Sequence, residues 1–245
     1  MTEQTTLSTT IEPSRADFIK ERADRQSKNN RLAQIAIKTR DLSKHINLKE
    51  YERVLCEVNL TSEQLLDECG KNILLTIILA GRCAINSSRQ GTKDEELQIS
   101  TCNTISSKCG VLIENLSSTA FRPTKDGKLL TKAEYNKQLA DKTIHKNDCL
   151  KSFDARITGK ITGWIFAKVA IGLGGHQDNV FEEAHTFCEW VIKYGNKEEI
   201  YIVLIDTDLT TNYNELKQKY ENQPNIIIGD HVSIQQYFID NYYNK

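Results

Sequence analysis

The sequence predicts an α/β (α+β) fold, a mixed central sheet flanked by helices, with a helical region at the N-terminus. Three observations carry this. From residue 151 onward, β-patterned and helix-patterned segments follow in the order strand, strand, helix, strand, helix, strand, helix, and such alternation implies a sheet covered on both faces. One of those segments, "EIYIVLIDTD", is almost continuously apolar, as a strand buried on both faces must be. Residues 13–84 instead repeat apolar positions three and four apart, the period of a helix packed on one side.

In chain order, residues 1–13 are polar, threonine-rich and without periodicity, which predicts a disordered tail. Residues 14–84 form the N-terminal helical region. "LAQIAIKTRDL" and "EYERVLCEV" are amphipathic, and "LTSEQLLDECGKNILLTIILAGRCA" opens on Thr61 and Ser62 as caps before a strongly apolar helix. Residues 85–245 make up the core, expected to form one compact unit with 14–84. "NSSRQGTKDEELQISTC" is a polar loop leading into a helical pattern that runs to about Leu116. Residues 117–150 are turn-rich and exposed, with Pro123, an Asp126-Gly127 turn and a short helix from Lys132 to Ala140. "SFDARI", "TGKITG" and "GWIFAKVAI" read as strand, turn and strand of a hairpin. In the next helix Val180, Ala184, Phe187, Cys188 and Val191 share a face, and Gly195 ends it. "YNELKQKYE" is helical, "NIIIGD" a short strand and "SIQQYFIDNYY" a final helix.

No run of about 18 apolar residues occurs, so no membrane span is expected, and the N-terminus lacks the apolar stretch of a secretory signal. Seven scattered cysteines without a C-x-x-C pair argue against a disulfide framework or a cysteine zinc site. Charge is balanced overall but not locally: residues 14–55 carry 11 Lys or Arg against 6 Asp or Glu, residues 121–168 carry 11 against 5, and residues 169–245 carry 5 against 12. The first two segments can therefore face a polyanion while the last stays outside.

The apolar segment "GWIFAKVAI" carries one lysine, Lys168, and the strand before it carries Asp154. Hairpin pairing brings them near one end of the sheet. There a carboxylate can hold a divalent cation while a lysine positions water and offsets charge in phosphodiester hydrolysis; the simpler alternative is a surface ion pair of little energetic weight.

With "SFDARI", "IFAK" and "GGHQDNVFEEAH" in this order, residues 85–240 resemble the PD-(D/E)XK nucleases, and the layout is similar to that of a type II restriction endonuclease. The resemblance implies a restriction-endonuclease-like fold, Mg²⁺ as cofactor, double-stranded DNA as substrate, a homodimer for a palindromic target and the cytoplasm of a bacterial or archaeal cell. It implies Asp154, Lys168 and Glu182 as catalytic residues, with Asp154, Glu182 and Glu95 on the metal. The family usually has an acidic residue two positions before the lysine, where this chain has Phe166. Some members supply the carboxylate from the following helix, and Glu182 stands 14 residues after Lys168; Glu183 is its substitute, and Asn179-x-x-Glu182 also fits a capping box. Asp94 and Glu96 are alternatives to Glu95. DNA contacts are expected from Arg89, Gln90, Lys93, Arg122 and Lys125 in two polar loops, and from His176, Gln177, Asp178 and Asn179 after the glycine bend. Two further readings stay open: a repair or recombination nuclease of the same superfamily, and an inactive DNA-binding homologue, which Phe166 suggests.

Overall fold

The computed structural model describes residues 15–87, 90–117, 120–171 and 177–243, and the side chains of all of these except 15–17 and 177–178. The predicted tail at 1–13 and the glycines at 172, 174 and 175 lie outside these residues. Contacts divide the chain into two units, Ala16–Gln90 and Gly91–Lys245.

The first unit is helical: α1 Arg15–Thr39, α2 Leu48–Val58, α3 Ser62–Lys71 and α4 Ile73–Cys83. Its core joins Ala33, Ile37, Tyr51, Val54, Leu65, Leu79 and Cys83. Thr61 caps α3 in a capping box with Gln64. The apolar run after it is two helices, because Asn72 ends α3 and its side chain accepts the N–H groups of Leu74 and Leu75 to start α4. A short side-chain acceptor at that point satisfies orphan donors of a new first turn.

The second unit begins with α5 Gly91–Ser106, followed by β1 Val111–Asn115, β2 Phe121–Pro123, β3 Leu129–Thr131 and α6 Lys132–Ala140. It continues through β4 Ala155–Gly159, β5 Gly163–Ala170, α7 Gln177–Tyr194, β6 Ile200–Thr207, α8 Thr210–Tyr220, β7 Ile226–Gly229 and α9 His231–Tyr242. The sheet order is β1-β4-β5-β6-β7. Pairs β1–β4 and β4–β5 are antiparallel, and β5–β6 and β6–β7 are parallel. The predicted mixed sheet is therefore present.

Side chains alternate along β5 and β6. Trp164, Phe166, Val203 and Ile205 join the core under α7 and α8, while Ile165, Ala167, Ile202 and Leu204 join the one under α5 and α9. Gly163 lets these strands approach: a Cβ there would lie 2.1 Å from the Ile200 carbonyl oxygen.

Two differences from the sequence reading matter. The helical pattern expected up to Leu116 stops at Ser106; Gly110 takes φ 77° and the chain enters β1. Val111 and Ile113 are buried there while Leu112 is exposed, the period of a half-covered edge strand. In residues 117–150, β2 and β3 pair around the Asp126-Gly127 turn before α6. This arm packs on α7, where Trp190 Nε1 donates to the Thr124 carbonyl at 2.8 Å.

Candidate active site

The pairing of β4 with β5 ends at Ala155 opposite Ile165. Asp154 is the residue just before β4 rather than a member of it, and it continues the ladder with its side chain. Its own N–H donates to the Ile165 carbonyl at 2.9 Å, and its Oδ2 accepts the Ala167 N–H at 2.8 Å. Beyond this point no strand among the described residues pairs with the edge of β5 facing β4. By alternation Lys168 follows Phe166 on the α7 side, yet through the open edge its ammonium reaches α5. Lys168 Nζ donates to Glu95 Oε1 at 2.7 Å and to the Ala167 carbonyl at 2.7 Å, and lies 3.7 Å from Asp154 Oδ2. Asp154, Lys168 and Glu95 are thus brought together, with 18 to 20 % of each side chain exposed.

The burial has electrostatic consequences. Desolvation pushes the Asp154 carboxyl up to about 6; the nearby Glu95 charge adds to this, against the Lys168 ammonium and the Ala167 N–H. Burial also works against the charge on Lys168. The carboxylates of Asp154, Glu95 and Glu183 outweigh it and hold the ammonium above the ordinary lysine value. Lys168 is therefore a fixed cation at neutral pH, and Asp154 is a carboxylate for which a proton and a cation compete.

Phe166 has a different part. Its ring is 2 % exposed, stacks on Phe187 at 5.4 Å between centroids, and lies 4.9 Å from Lys168 Nζ, a distance at which the ring face attracts an ammonium. Where the family pattern would place a ligand, this chain has an apolar platform under the lysine.

The expected third carboxylate is the point of least agreement. Glu182 is exposed, and no contact with Asp154, Lys168 or Glu95 is found for it. Glu183 is half-buried, pairs loosely with Lys151 at 3.5 Å, and its charge acts on Lys168. The alternative reading of Asn179 and Glu182 as a capping box is not met, because α7 already runs from Gln177 and Asn179 lies inside it. Among the described residues no group of three or more His, Cys, Asp or Glu side chains is arranged to hold a metal ion. What converges is the pair Asp154 and Glu95, oxygen donors of the kind a hard cation takes, and Mg²⁺ commonly binds through one or two carboxylates while keeping its waters.

Two cavities flank the cluster. One of about 190 Å³ is lined by Glu95, Glu96, Asp154, Asn115, Ser117 and Ser152. The other, of about 460 Å³, lies between the 121–151 arm and α7, with Arg122, Lys146 and Lys151 on one side and Asn179, Glu182 and Glu183 on the other. Of the remaining expected contacts, Lys93 pairs with Glu96 at 2.6 Å and Lys125 is exposed on the arm. Gln90 belongs to the helical unit, where its Oε1 accepts from Asn29 at 3.2 Å. Arg89 and His176 lie outside the described residues, as do the side chains of Gln177 and Asp178.

Behind the cluster is a buried network that sequence reading did not find. Gln98, one turn after Glu95 on α5, donates from Nε2 to Asp206 Oδ2 at 2.6 Å and to the carbonyls of Lys168 and Leu204, both at 3.3 Å. His231 Nδ1 meets Asp206 Oδ1 at 2.6 Å, with both side chains 3 % exposed or less. The one signal in the sequence was Asp206 itself, an acid at the end of an otherwise apolar strand.

No helix among the described residues is long and apolar enough to cross a membrane. The sequence matches no protein-family model and no curated protein.

Proposed function

We propose that this protein is a Mg²⁺-dependent endonuclease that hydrolyses phosphodiester bonds of double-stranded DNA at a specific sequence, as a type II restriction enzyme does. One observation carries the reading: an ammonium from the end of a sheet strand shares a half-buried site with two carboxylates that come from separate elements. An isolated surface pair needs neither that burial nor the third partner.

Asp154 and Glu95 would hold the cation, and Glu183 is better placed than Glu182 to join them. Bound Mg²⁺ would supply Lewis-acid stabilisation of the phosphoryl oxygens and a more acidic water. Lys168, protonated throughout the neutral range, is a poor general base; its N–H groups orient the attacking water and offset charge on the phosphoryl oxygens. As the water oxygen forms its bond to phosphorus it gives its proton to solvent, an ester P–O bond breaks, and the leaving oxygen takes a proton from solvent. Phe166 holds the lysine from below and excludes water from that side.

Incubation of plasmid and phage DNA with the protein and Mg²⁺ tests this. Discrete fragments support the restriction reading, smearing or branched-substrate cutting supports a repair or recombination nuclease, and binding without cleavage supports an inactive homologue.

A further inference from the structure

The cavity between the 121–151 arm and α7 holds cations that the cluster does not use. Arg122 and Lys146 have no ion-pair partner among the described residues, and Lys151 has Glu183 only at 3.5 Å, too long for a strong hydrogen bond. Arg122 is also held in place: its guanidinium carbon lies 4.5 Å above the Tyr135 ring, with Nη1 3.5 Å from the Tyr135 hydroxyl. Its Nε is buried and has no acceptor. A desolvated guanidinium donor without a partner is costly, and the cost is recovered when an anion with several acceptor oxygens enters. A planar guanidinium beside two flexible ammoniums suits a phosphate group.

We propose that this cavity is a phosphate-binding site, in which Arg122, Lys146 and Lys151 grip a backbone phosphate of the DNA strand that also passes the Lys168 cluster. This rests on the nuclease reading for the identity of the polyanion. Phe166 lines the cavity and also lies under Lys168, so a strand held here runs directly to the cluster. Glu182 and Glu183 stand on the opposite wall and keep the anion on the arm side.

The salt dependence of DNA binding tests the site without any cleavage. Affinity for a labelled duplex is measured by anisotropy in EDTA between about 50 and 200 mM salt, where each phosphate contact contributes about 0.9 to the slope of log K against log salt. The site predicts that Arg122→Gln/Lys146→Gln/Lys151→Gln lowers the slope by about 0.9, the contribution of the one phosphate gripped, and that Lys146→Gln/Lys151→Gln, at two exposed positions, lowers it by about half of that or more. Lys197→Gln, at the opposite end of the sheet, should leave it unchanged. A wild-type slope in both multiple variants overturns the proposal, as does a wild-type protein that binds no DNA. Inorganic phosphate supplies the second arm: if it raises the Tm of wild type but not of the triple variant while their DNA slopes agree, the ligand is free phosphate and the backbone assignment is wrong. A protein that shows the slope change but never cuts DNA loses the nuclease reading and keeps the site.

Discussion

Asp154 is where the energetics of the cluster are most exposed to measurement. Its carboxyl sits at about 6 in the fold against 3.8 in the unfolded chain, so the folded protein holds the proton more tightly. The ionised form is therefore a destabilising group: its penalty is absent below about pH 3.8, grows through the window up to about 6 and is complete above it. Asp154→Asn should melt higher than wild type at pH 8, by about 1 to 3 kcal/mol in unfolding free energy, with the advantage gone at pH 4, while cleavage is lost. Lys168, raised above 10.5, contributes evenly across that range and does not blur the comparison. Because a proton and a cation compete for Asp154, the Mg²⁺ concentration needed for half-maximal cleavage should rise as pH falls below about 6. Glu183→Gln should reduce cleavage at least tenfold and Glu182→Gln several-fold less, each measured as single-turnover rates. Asp154 and Lys168 were legible in the sequence because their types and order on a hairpin fit one chemistry, whereas Glu95 came from the resemblance, with Asp94 and Glu96 as alternatives. The choice between adjacent glutamates was not, because it depends on where α7 begins and how it is rotated. Gln98, Asp206 and His231 were hidden for another reason: Asp206 lies 108 residues from one partner and 25 from the other, and nothing local marks either contact.

At the scale of elements, α5 connects the cluster to the body of the sheet. Glu95 faces Lys168, and one turn later Gln98 ties the helix to the backbone of β5 and β6 and to Asp206. Gln98→Leu keeps the bulk but leaves a buried carboxylate without its 2.6 Å donor, which should cost about 2 to 3 kcal/mol in urea unfolding. It should also slow cleavage through Glu95. Ser100→Ala, on the exposed side of the same helix, should change stability by less than about 0.5 kcal/mol. The βαβ part of the fold was readable because β5 and β6 are apolar on both faces and α7 has one clear stripe. The edge strand β1 was not: five residues with a single exposed leucine look alike in helical and extended periods, and its partners on β4 lie at least 40 residues away. The break at Asn72 was equally quiet, since one residue serves as the end of α3 and the cap of α4.

For the whole molecule, the division at Gln90 separates a helical unit from the unit that holds the sheet and every residue of the cluster. The local charge excess in residues 121–168 gathers on the arm beside that cluster, which is what a polyanionic substrate requires; the acidic residues after 169 include Asp206, which is buried in the fold rather than solvated. A palindromic target would require two copies, so light scattering should give twice the 27.9 kDa chain mass; a monomer both free and on DNA would favour a nuclease of structural specificity. The central claim, that Lys168 with its two carboxylates is a phosphodiester-cleaving centre, is tested most directly by comparing wild type and Lys168→Ala on plasmid DNA with Mg²⁺. Discrete fragments from wild type, with a loss of about 10²-fold or more in the variant and unchanged DNA affinity, are the predicted result; equal cutting by both proteins, or none by wild type, would contradict it.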